Sequence, residues 1–294
     1  MTTVIGDANG LRSGTAAAPA DRVSIRGVEL RLDQFVDAKR LEPASVCALK
    51  QAFAGASPFP HLVIDGLFNA ELLHLVAEEF TLLAPSRWRR SQDGMHERTT
   101  RSLPRSRLGH AAEAYFGVLH SSRFIAFLEQ VTGIADLITD PHLHNAGFHE
   151  SRRGDRFRIH TDFNKHASTR LDNELVLLTY LNPHWDPAWG CALELWSAEP
   201  RACVRRIDPL FGRTVLMRYS PVAFHGHPQP LQAPADEVRR SLAAYYYGNR
   251  EERQADHRQP TRFMDRDTMR VLRIGAREVV PPVLWKAVKR LFGR

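Results

Sequence analysis

The amino-acid sequence predicts a mainly β domain with flanking helices (α+β), in which the strands form a closed or double-sheet architecture such as a jelly roll. After Asp140, short apolar runs are separated by Gly, Pro, Asn and Asp, which is typical of strands joined by turns. Before Asp140, apolar residues recur at helical spacing. We find no internal repeat or heptad. The predicted strands cover residues 156–159, 174–181, 192–197, 204–208, 213–219 and 239–247.

Taken in order, the chain divides into four predicted regions. Residues 1–22 are rich in small and turn-forming residues and predict a flexible leader. Residues 23–139 predict an N-terminal helical support region, with a helix that begins after Pro43, a strand near residues 58–65 and a helix over residues 70–80. Residues 140–250 form the predicted β core. Residues 251–294 form a predicted basic helical C-terminal extension.

One stretch of the support region breaks the helical pattern. Residues 87–107 are rich in arginine and show no strong periodicity, which favours a surface loop or lid. Excess positive charge there indicates an anionic substrate, such as a carboxylate, a phosphate or an acidic glycan. The polar run His142, His144, Asn145 and His149 is interpreted as a loop that precedes the core.

Composition narrows the class of protein. The 294 residues are 43% hydrophobic and carry a formal net charge of +7. The odd number of cysteines, Cys47, Cys191 and Cys203, and the lack of a CxxC pattern argue against a disulfide framework or a thiolate zinc site. No apolar run approaches the roughly 18 residues of a membrane span, and no secretory signal is visible. We therefore expect a cytoplasmic protein.

The end of the chain predicts a basic amphipathic helix. Leu284, Val288, Leu291 and Phe292 share one helical face, with basic residues away from it. Such a helix can touch an anionic membrane surface peripherally, or dock on the domain or on a second copy. We expect no nucleic-acid partner.

The chemistry centres on His160-Thr161-Asp162. Side chains two residues apart on a strand point the same way, so this run presents an imidazole and a carboxylate together. His225 follows much later in the chain and supplies a second imidazole. Two histidines and one carboxylate that bind one face of a metal and leave the other positions open are the pattern of non-haem Fe(II) oxygenases.

Seven motifs in order along the chain carry a family resemblance. They are His160-Thr161-Asp162, Tyr180-Leu181-Asn182, Trp185-Asp186, the run at residues 189–196, Asp208-Pro209-Leu210-Phe211, His225-Gly226-His227-Pro228 and Arg239-Arg240-Ser241. Together they resemble the iron(II)- and 2-oxoglutarate-dependent oxygenases, most of all the prolyl-4-hydroxylase-like branch. The match covers residues 148–247, with a weaker echo at residues 58–65. It implies a double-stranded β-helix core, cupin-like and related to the jelly roll, buttressed by helices.

The resemblance also implies a set of site residues. His160, Asp162 and His225 match the family's metal ligands. Arg239 matches the residue that binds the distal carboxylate of 2-oxoglutarate, with Tyr180 and Ser241 as further hydrogen-bonding partners. The implied cofactors are Fe(II), 2-oxoglutarate as co-substrate and O2, with ascorbate as a supporting reductant. The implied reaction is hydroxylation of an unactivated C–H bond, with decarboxylation of 2-oxoglutarate to succinate.

Several alternatives stay open at this stage. His227 competes with His225 as a ligand, and Arg240 competes with Arg239; we favour His225 and Arg239. Cys191 stands where the family often has a second glycine. A zinc-dependent hydrolase and a non-catalytic jelly-roll binding protein are the alternative functions. The substrate is a small molecule, a peptidyl residue or a saccharide, and desaturation or ring formation could replace hydroxylation.

Overall fold

The computed structural model describes residues 22–92, 97–250 and 257–264. Residues 1–21 of the predicted leader and the predicted C-terminal amphipathic helix lie outside the described residues. The helices are α1 (Pro43–Ala54), α2 (Ala70–Glu79), α3 (His110–Leu119) and α4 (Ser122–Thr132). The first strands are β1 (Arg22–Ile25), β2 (Val28–Arg31), β3 (His61–Asp65), β4 (Trp88–Gln92), β5 (Glu97–Ser102), β6 (Ile138–Thr139) and β7 (Gly147–Ser151). The remaining strands are β8 (Arg156–Thr161), β9 (Asp172–Tyr180), β10 (Leu193–Ser197), β11 (Ala202–Ile207), β12 (Arg213–Arg218), β13 (Phe224–His227), β14 (Arg239–Gly248) and β15 (Arg262–Phe263).

Local sequence signals explain where the helices begin and end. Pro43 starts α1, where its missing N–H costs no hydrogen bond. Asn69 caps α2, since its side chain accepts a hydrogen bond from the backbone N–H of Leu72 at 2.9 Å. Gly133 ends α4 with a φ of 71°, a left-handed conformation that favours glycine. The predicted helices after Pro43 and over residues 70–80 are confirmed.

A curled antiparallel sheet surrounds the site. Among the described residues, thirteen strands join in the order β11-β10-β13-β8-β5-β7-β14-β9-β12-β3, with β15 on β8, β4 on β5 and β6 on β14. The strands β1 and β2 form a separate hairpin. Curling brings the β8 and β13 side of the sheet opposite the β9 and β14 side. The predicted mainly β fold with flanking helices is confirmed, and so are its six predicted strands.

Side chains on the central strands point alternately to the two faces of the sheet and so form two separate apolar layers. On β9, Leu175 and Leu177 belong to the cluster that contains the buried faces of the four helices. The residues between and beyond them, Val176 and Tyr180, belong to a second cluster on the inner side of the sheet. Side chains of a strand point to opposite faces in turn, so packing the helices on one face directs Tyr180 into the barrel.

The prediction of a loop over residues 87–107 is wrong for much of that stretch. β4 and β5 form a hairpin, and β5 also pairs with β7 and β8, so it joins the two sides of the barrel. The strand β3, also from the predicted support region, pairs with β12 in the same sheet. β5 has no apolar alternation because one of its faces lines a polar cavity, so hydrophobic periodicity did not reveal it.

Candidate active site

The structure brings three residues from the predicted ligand set together. His225 on β13 is the direct cross-strand partner of His160 on β8, and Asp162 follows the end of β8. The ligand atoms of the three residues all lie within 4.8 Å of one another. Nε2 of His160 is 3.6 Å from Oδ1 of Asp162, and Nε2 of His225 is 3.6 Å from Oδ2. These separations exceed hydrogen-bond length and leave room for an ion between the three groups.

Backbone carbonyls fix the orientation of both imidazoles. Nδ1 of His160 lies 2.7 Å from the carbonyl oxygen of Arg158, and Nδ1 of His225 lies 3.0 Å from that of Ala223. A carbonyl only accepts, so each Nδ1 carries the proton and each Nε2 presents a lone pair toward Asp162. This is the arrangement in which histidine binds a metal, with the second nitrogen held by an outer hydrogen bond.

Burial tunes the charge of this cluster. Burial lowers the pKa of His225, which favours the neutral ring that a metal requires. Burial alone would raise the pKa of Asp162, but the nearby His225 and His160 and a contact from Tyr245 hold that pKa below its ordinary value. The cluster therefore joins a neutral His225 and an ionised Asp162 with the imidazole of His160, and two imidazoles with one carboxylate are the donor set that suits Fe(II).

A buried guanidinium lies in the same cavity. Arg239 is 5% exposed, and its Nη2 donates a hydrogen bond of 3.4 Å to the hydroxyl oxygen of Tyr180. Within the described part of the chain, no carboxylate lies within ion-pair distance of Arg239, and its Nε has no hydrogen-bond partner. An unpaired buried charge is costly, so the site fits an anion. Ser241 lines the same cavity. These residues fit the distal carboxylate of 2-oxoglutarate.

The two competing residues, His227 and Arg240, are held by other contacts. Arg240 points away from the cavity and binds the carboxylate of Glu150, with Nε to Oε1 at 3.2 Å. Nδ1 of His227 accepts the backbone N–H of Phe157 at 3.2 Å and lies 3.1 Å from Sγ of Cys191. The structure therefore groups His225, not His227, with the His160 and Asp162 pair.

Cys191 takes the place of a turn glycine at a conformational cost. Its φ is 57°, a left-handed value that side chains rarely adopt. Burial raises the pKa of its thiol to about 11, so the group stays protonated. Cys191 is a packed neighbour of His227, and a thiol with so high a pKa is a poor nucleophile.

Sequence reasoning missed several residues that line the cavity. Glu97, Thr99 and Arg101 occupy alternate positions of β5 and all face the cavity. His149, interpreted as part of a loop, lies on β7 beside Arg101 and also lines it. The one sequence signal for this face was the alternation of polar side chains on β5. A strand whose inner face is hydrophilic has a polar sequence, and such a sequence resembles that of a loop.

The described residues contain a second cluster of two histidines and an aspartate, formed by Asp140, His144 and His166. Here Oδ2 of Asp140 receives the backbone N–H and the Nδ1–H of His144, both at 2.8 Å, and Nε2 of His166 lies 3.3 Å away. Oδ1 receives the backbone N–H of His142 at 2.9 Å. Four donors occupy this carboxylate, so it has no free site for an ion.

Comparisons with known proteins agree with this geometry. Residues 146–247 match the model of the 2OG-Fe(II) oxygenase superfamily. A Pseudomonas putida prolyl-4-hydroxylase structure is similar at a TM-score of 0.51 and 17% identity, over 70% of this chain and 100% of that one. A Trichoplax adhaerens prolyl hydroxylase, solved with a hypoxia inducible factor peptide fragment, is similar at a TM-score of 0.53 and 16% identity, over 75% of this chain and 96% of that one. No curated protein matches the chain.

Two independent observations now converge. The family model covers the strands that carry the two imidazoles, the carboxylate and the buried guanidinium. The two solved structures described above share the fold of this chain. The predicted resemblance is confirmed: residues 146–247 match the 2OG-Fe(II) oxygenase superfamily, and the chain shares its fold with two prolyl hydroxylase structures.

Proposed function

We propose that this domain binds one Fe(II) through His160, Asp162 and His225 and hydroxylates an unactivated C–H bond of a small-molecule or peptide substrate. In this proposal 2-oxoglutarate is the co-substrate, and its distal carboxylate pairs with Arg239. The single observation that carries the proposal is a buried guanidinium, without a carboxylate partner among the described residues, in the cavity that holds the two imidazoles and the carboxylate.

The chain's own residues hold and orient the reactants. The hydrogen bonds from Nδ1 of His160 and His225 to backbone carbonyls keep both Nε2 lone pairs directed at one point. The guanidinium of Arg239 offers a planar fork for a carboxylate, and the hydroxyl groups of Tyr180 and Ser241 supply further donors. Burial raises the pKa of Tyr180, so its hydroxyl keeps its proton and donates to the bound anion.

The cofactors supply the oxidation. With Fe(II) bound, one O2 and one 2-oxoglutarate are consumed, one oxygen atom enters the substrate C–H bond, and the other enters succinate as CO2 leaves. The protein must exclude water and place the substrate C–H bond at the open side of the metal. The apolar side chains of Val176, Leu178 and Leu193 line the cavity and help to keep it dry.

Other readings of the site explain fewer of its features. A zinc-dependent hydrolase could use the same two imidazoles and carboxylate. That function gives no role to the buried charge of Arg239. A non-catalytic jelly-roll binding protein gives no reason for two Nε2 lone pairs that converge on a carboxylate. Halogenation would need the carboxylate ligand replaced by a small residue to free a site for halide, and Asp162 is present.

An anaerobic titration tests the proposal. Adding Fe(II) and then 2-oxoglutarate to the full chain should give a weak visible metal-to-ligand charge-transfer band. In Arg239→Ala the affinity for 2-oxoglutarate should fall about 100-fold, because a hydrogen-bonded buried charge pair is lost. The matched control is Arg240→Ala, the adjacent arginine that points away from the cavity.

The outcomes separate the three functions. A band that weakens in Arg239→Ala and persists in Arg240→Ala supports the oxygenase. Absence of any band in the wild-type chain with Fe(II) and 2-oxoglutarate bound would contradict it and favour a zinc enzyme or a binding protein. Release of succinate on addition of candidate substrates then identifies the molecule that is hydroxylated.

A further inference from the structure

The inner face of β5 forms one wall of the cavity that holds the proposed metal ligands. Glu97, Thr99 and Arg101 alternate along this strand, so their side chains share a face, and all three line the cavity together with His160 and Asp162. β5 lies between β7 and β8 and closes the gap between the two sides of the barrel. The wall therefore places charged groups in the cavity that holds the proposed metal ligands.

This wall carries two opposite charges in a loose pair. The carboxylate oxygen Oε1 of Glu97 lies 3.5 Å from Nη2 of Arg101, and it accepts a hydrogen bond of 2.6 Å from the hydroxyl of Thr99. Nη2 of Arg101 donates instead to Oγ of Ser91 at 3.1 Å. The side chains of Glu97 and Arg101 are 13% and 23% exposed, so both are accessible from the cavity and only partly hydrated.

His149 adds a hydrogen-bond acceptor beside them. It is the cross-strand partner of Arg101, and its Nε2 is buried with no hydrogen-bond partner within the described ranges. Burial and the nearby charge of Arg101 lower the pKa of His149 to about 3, and the ring interacts with the backbone of Asn145. At neutral pH the ring is uncharged. With its Nδ1 proton directed at the Asn145 carbonyl, Nε2 presents a lone pair to the cavity.

We propose that Glu97, Arg101 and His149 form a subsite for the zwitterionic head group of a free α-amino acid. Arg101 receives the carboxylate, and Glu97 and Nε2 of His149 accept hydrogen bonds from the ammonium group. The proposal rests on the proposed function, because it makes a free amino acid the molecule that is hydroxylated.

The charge balance explains why a zwitterion fits better than a single charge. A monoanion can pair with Arg101 but offers no positive charge to Glu97, and a monocation can pair with Glu97 but offers no negative charge to Arg101. A molecule that carries both charges can contact both groups at once. The adjacent positive and negative groups of an amino acid suit two protein charges that are themselves 3.5 Å apart.

Binding to the full-length, metal-free chain tests the subsite without turnover. Saturation-transfer difference NMR would compare the standard L-amino acids with their N-acetyl derivatives and their carboxamides, each of which lacks one charge. At least one amino acid should bind, and both of its derivatives should bind about tenfold or more weakly. Equal binding of the derivatives would overturn the proposal.

Variants assign each charge to its partner. In Arg101→Gln the preference for the amino acid over its carboxamide should disappear, while in Glu97→Gln the preference over the N-acetyl derivative should disappear. The control is Arg98→Gln, on the same strand and exposed on the opposite face. The double variant Glu97→Gln/Arg101→Gln removes both charges together, so neither group is left as an unpaired charge that could destabilise the fold. An equal effect of Arg98→Gln would overturn the assignment.

The two proposals fail in different ways. If no amino acid binds while the chain forms the charge-transfer band with Fe(II) and 2-oxoglutarate, the subsite is wrong and the oxygenase proposal stands. If an amino acid binds with the expected preferences but no band forms, the subsite stands and the oxygenase proposal is wrong.

Discussion

Two regions of the molecule each contain two histidines and one aspartate, and only one of them is arranged to bind a metal. In the His160, Asp162 and His225 cluster, both imidazoles give their Nδ1 proton to backbone carbonyls, and both Nε2 atoms face the carboxylate at 3.6 Å. In the Asp140, His144 and His166 cluster, the carboxylate receives the donors directly, with Nδ1 of His144 at 2.8 Å. The residue types are equal, and the positions of the protons differ.

The second cluster shows how the backbone decides this difference. Nδ1 of His166 accepts the backbone N–H groups of Ser168 and Thr169 at 3.2 Å and 3.0 Å. A neutral imidazole has one donor and one acceptor, so Nε2 of His166 must carry the proton and donate it to Asp140. A protonated nitrogen cannot bind a metal. We infer that the Asp140, His144 and His166 cluster stabilises the segment before β7. In the His160, Asp162 and His225 cluster, the Nε2 lone pairs stay available for an ion.

Metal stoichiometry should show the largest difference between the clusters. Asp162→Ala removes a proposed direct ligand, so the affinity for Fe(II) or Co(II) should fall more than about 100-fold, beyond the range seen for outer-shell partners. Asp140→Ala should keep one metal per chain. Elemental analysis after anaerobic reconstitution measures both variants. Loss of the metal from Asp140→Ala would contradict the claim that only the His160, Asp162 and His225 cluster binds the ion.

The free energy of unfolding should rank the two variants in the opposite order, with the larger loss in Asp140→Ala. Asp140→Ala leaves the part-buried donors of His144 and His166 without an acceptor, and we expect a loss of about 2 to 3 kcal/mol in the free energy of unfolding. Asp162→Ala in the metal-free protein should cost less, because Asp162 has no hydrogen bond from an imidazole at ordinary length. Urea unfolding followed by circular dichroism measures the two variants. A larger loss in metal-free Asp162→Ala would contradict this ranking.

Added metal should stabilise the chain only through the first cluster. At a free metal concentration of 100 times the dissociation constant, binding contributes about 2.7 kcal/mol. This gain should be absent in His160→Ala and present in His166→Ala. Thermal unfolding with and without Co(II), followed by addition of a chelator, measures it. A stabilising effect of Co(II) in His160→Ala that equals the wild-type effect would show that the ion binds elsewhere.

The pH dependence of stability should show how much the ionised Asp140 in the second cluster contributes to the free energy of unfolding. Burial opposes ionisation of Asp140, but the hydrogen bonds from His144 and His142 hold its pKa below the ordinary value. A carboxyl group whose pKa is lower in the folded state stabilises the protein above its unfolded pKa of about 3.9, and this contribution is lost as pH falls through the folded pKa. The stability difference between the wild-type chain and Asp140→Asn should therefore narrow as pH falls from 5 towards 3. A constant difference would contradict the role of the charge.

The smallest effect on the metal is expected at His227, which lies two residues from a proposed ligand. Its Nδ1 already accepts the backbone N–H of Phe157, so His227→Ala should keep one metal per chain. The unfolding free energy should fall by about 1 to 2 kcal/mol, because that N–H loses its partner. Metal analysis beside His225→Ala measures the contrast. Metal loss in His227→Ala would reverse our assignment of the ligand.

Hydrophobic periodicity and ordered motifs made many strands and several site residues predictable from the sequence. Apolar strands such as β9 and β14 were predicted because their buried faces impose a pattern on the sequence. Arg239 and Tyr180 were predicted because they stand in motifs with a fixed order, and in the structure Nη2 of Arg239 donates a hydrogen bond to the Tyr180 hydroxyl. The hairpin of β4 and β5 was missed because its inner face is polar, so it carries no hydrophobic alternation.

The sequence by itself determined the fold class, the donor types of the proposed metal site and the presence of an arginine that suits a dicarboxylate. Only the tertiary structure decided which histidine cluster keeps its lone pairs free, and that Glu97, Arg101 and His149 share a wall of the cavity. The physical reason is that proton position and cross-strand neighbours depend on backbone groups far apart in the chain, such as the Ala223 carbonyl and the β5 to β7 register. The order of side chains along one strand does not specify proton positions or cross-strand neighbours.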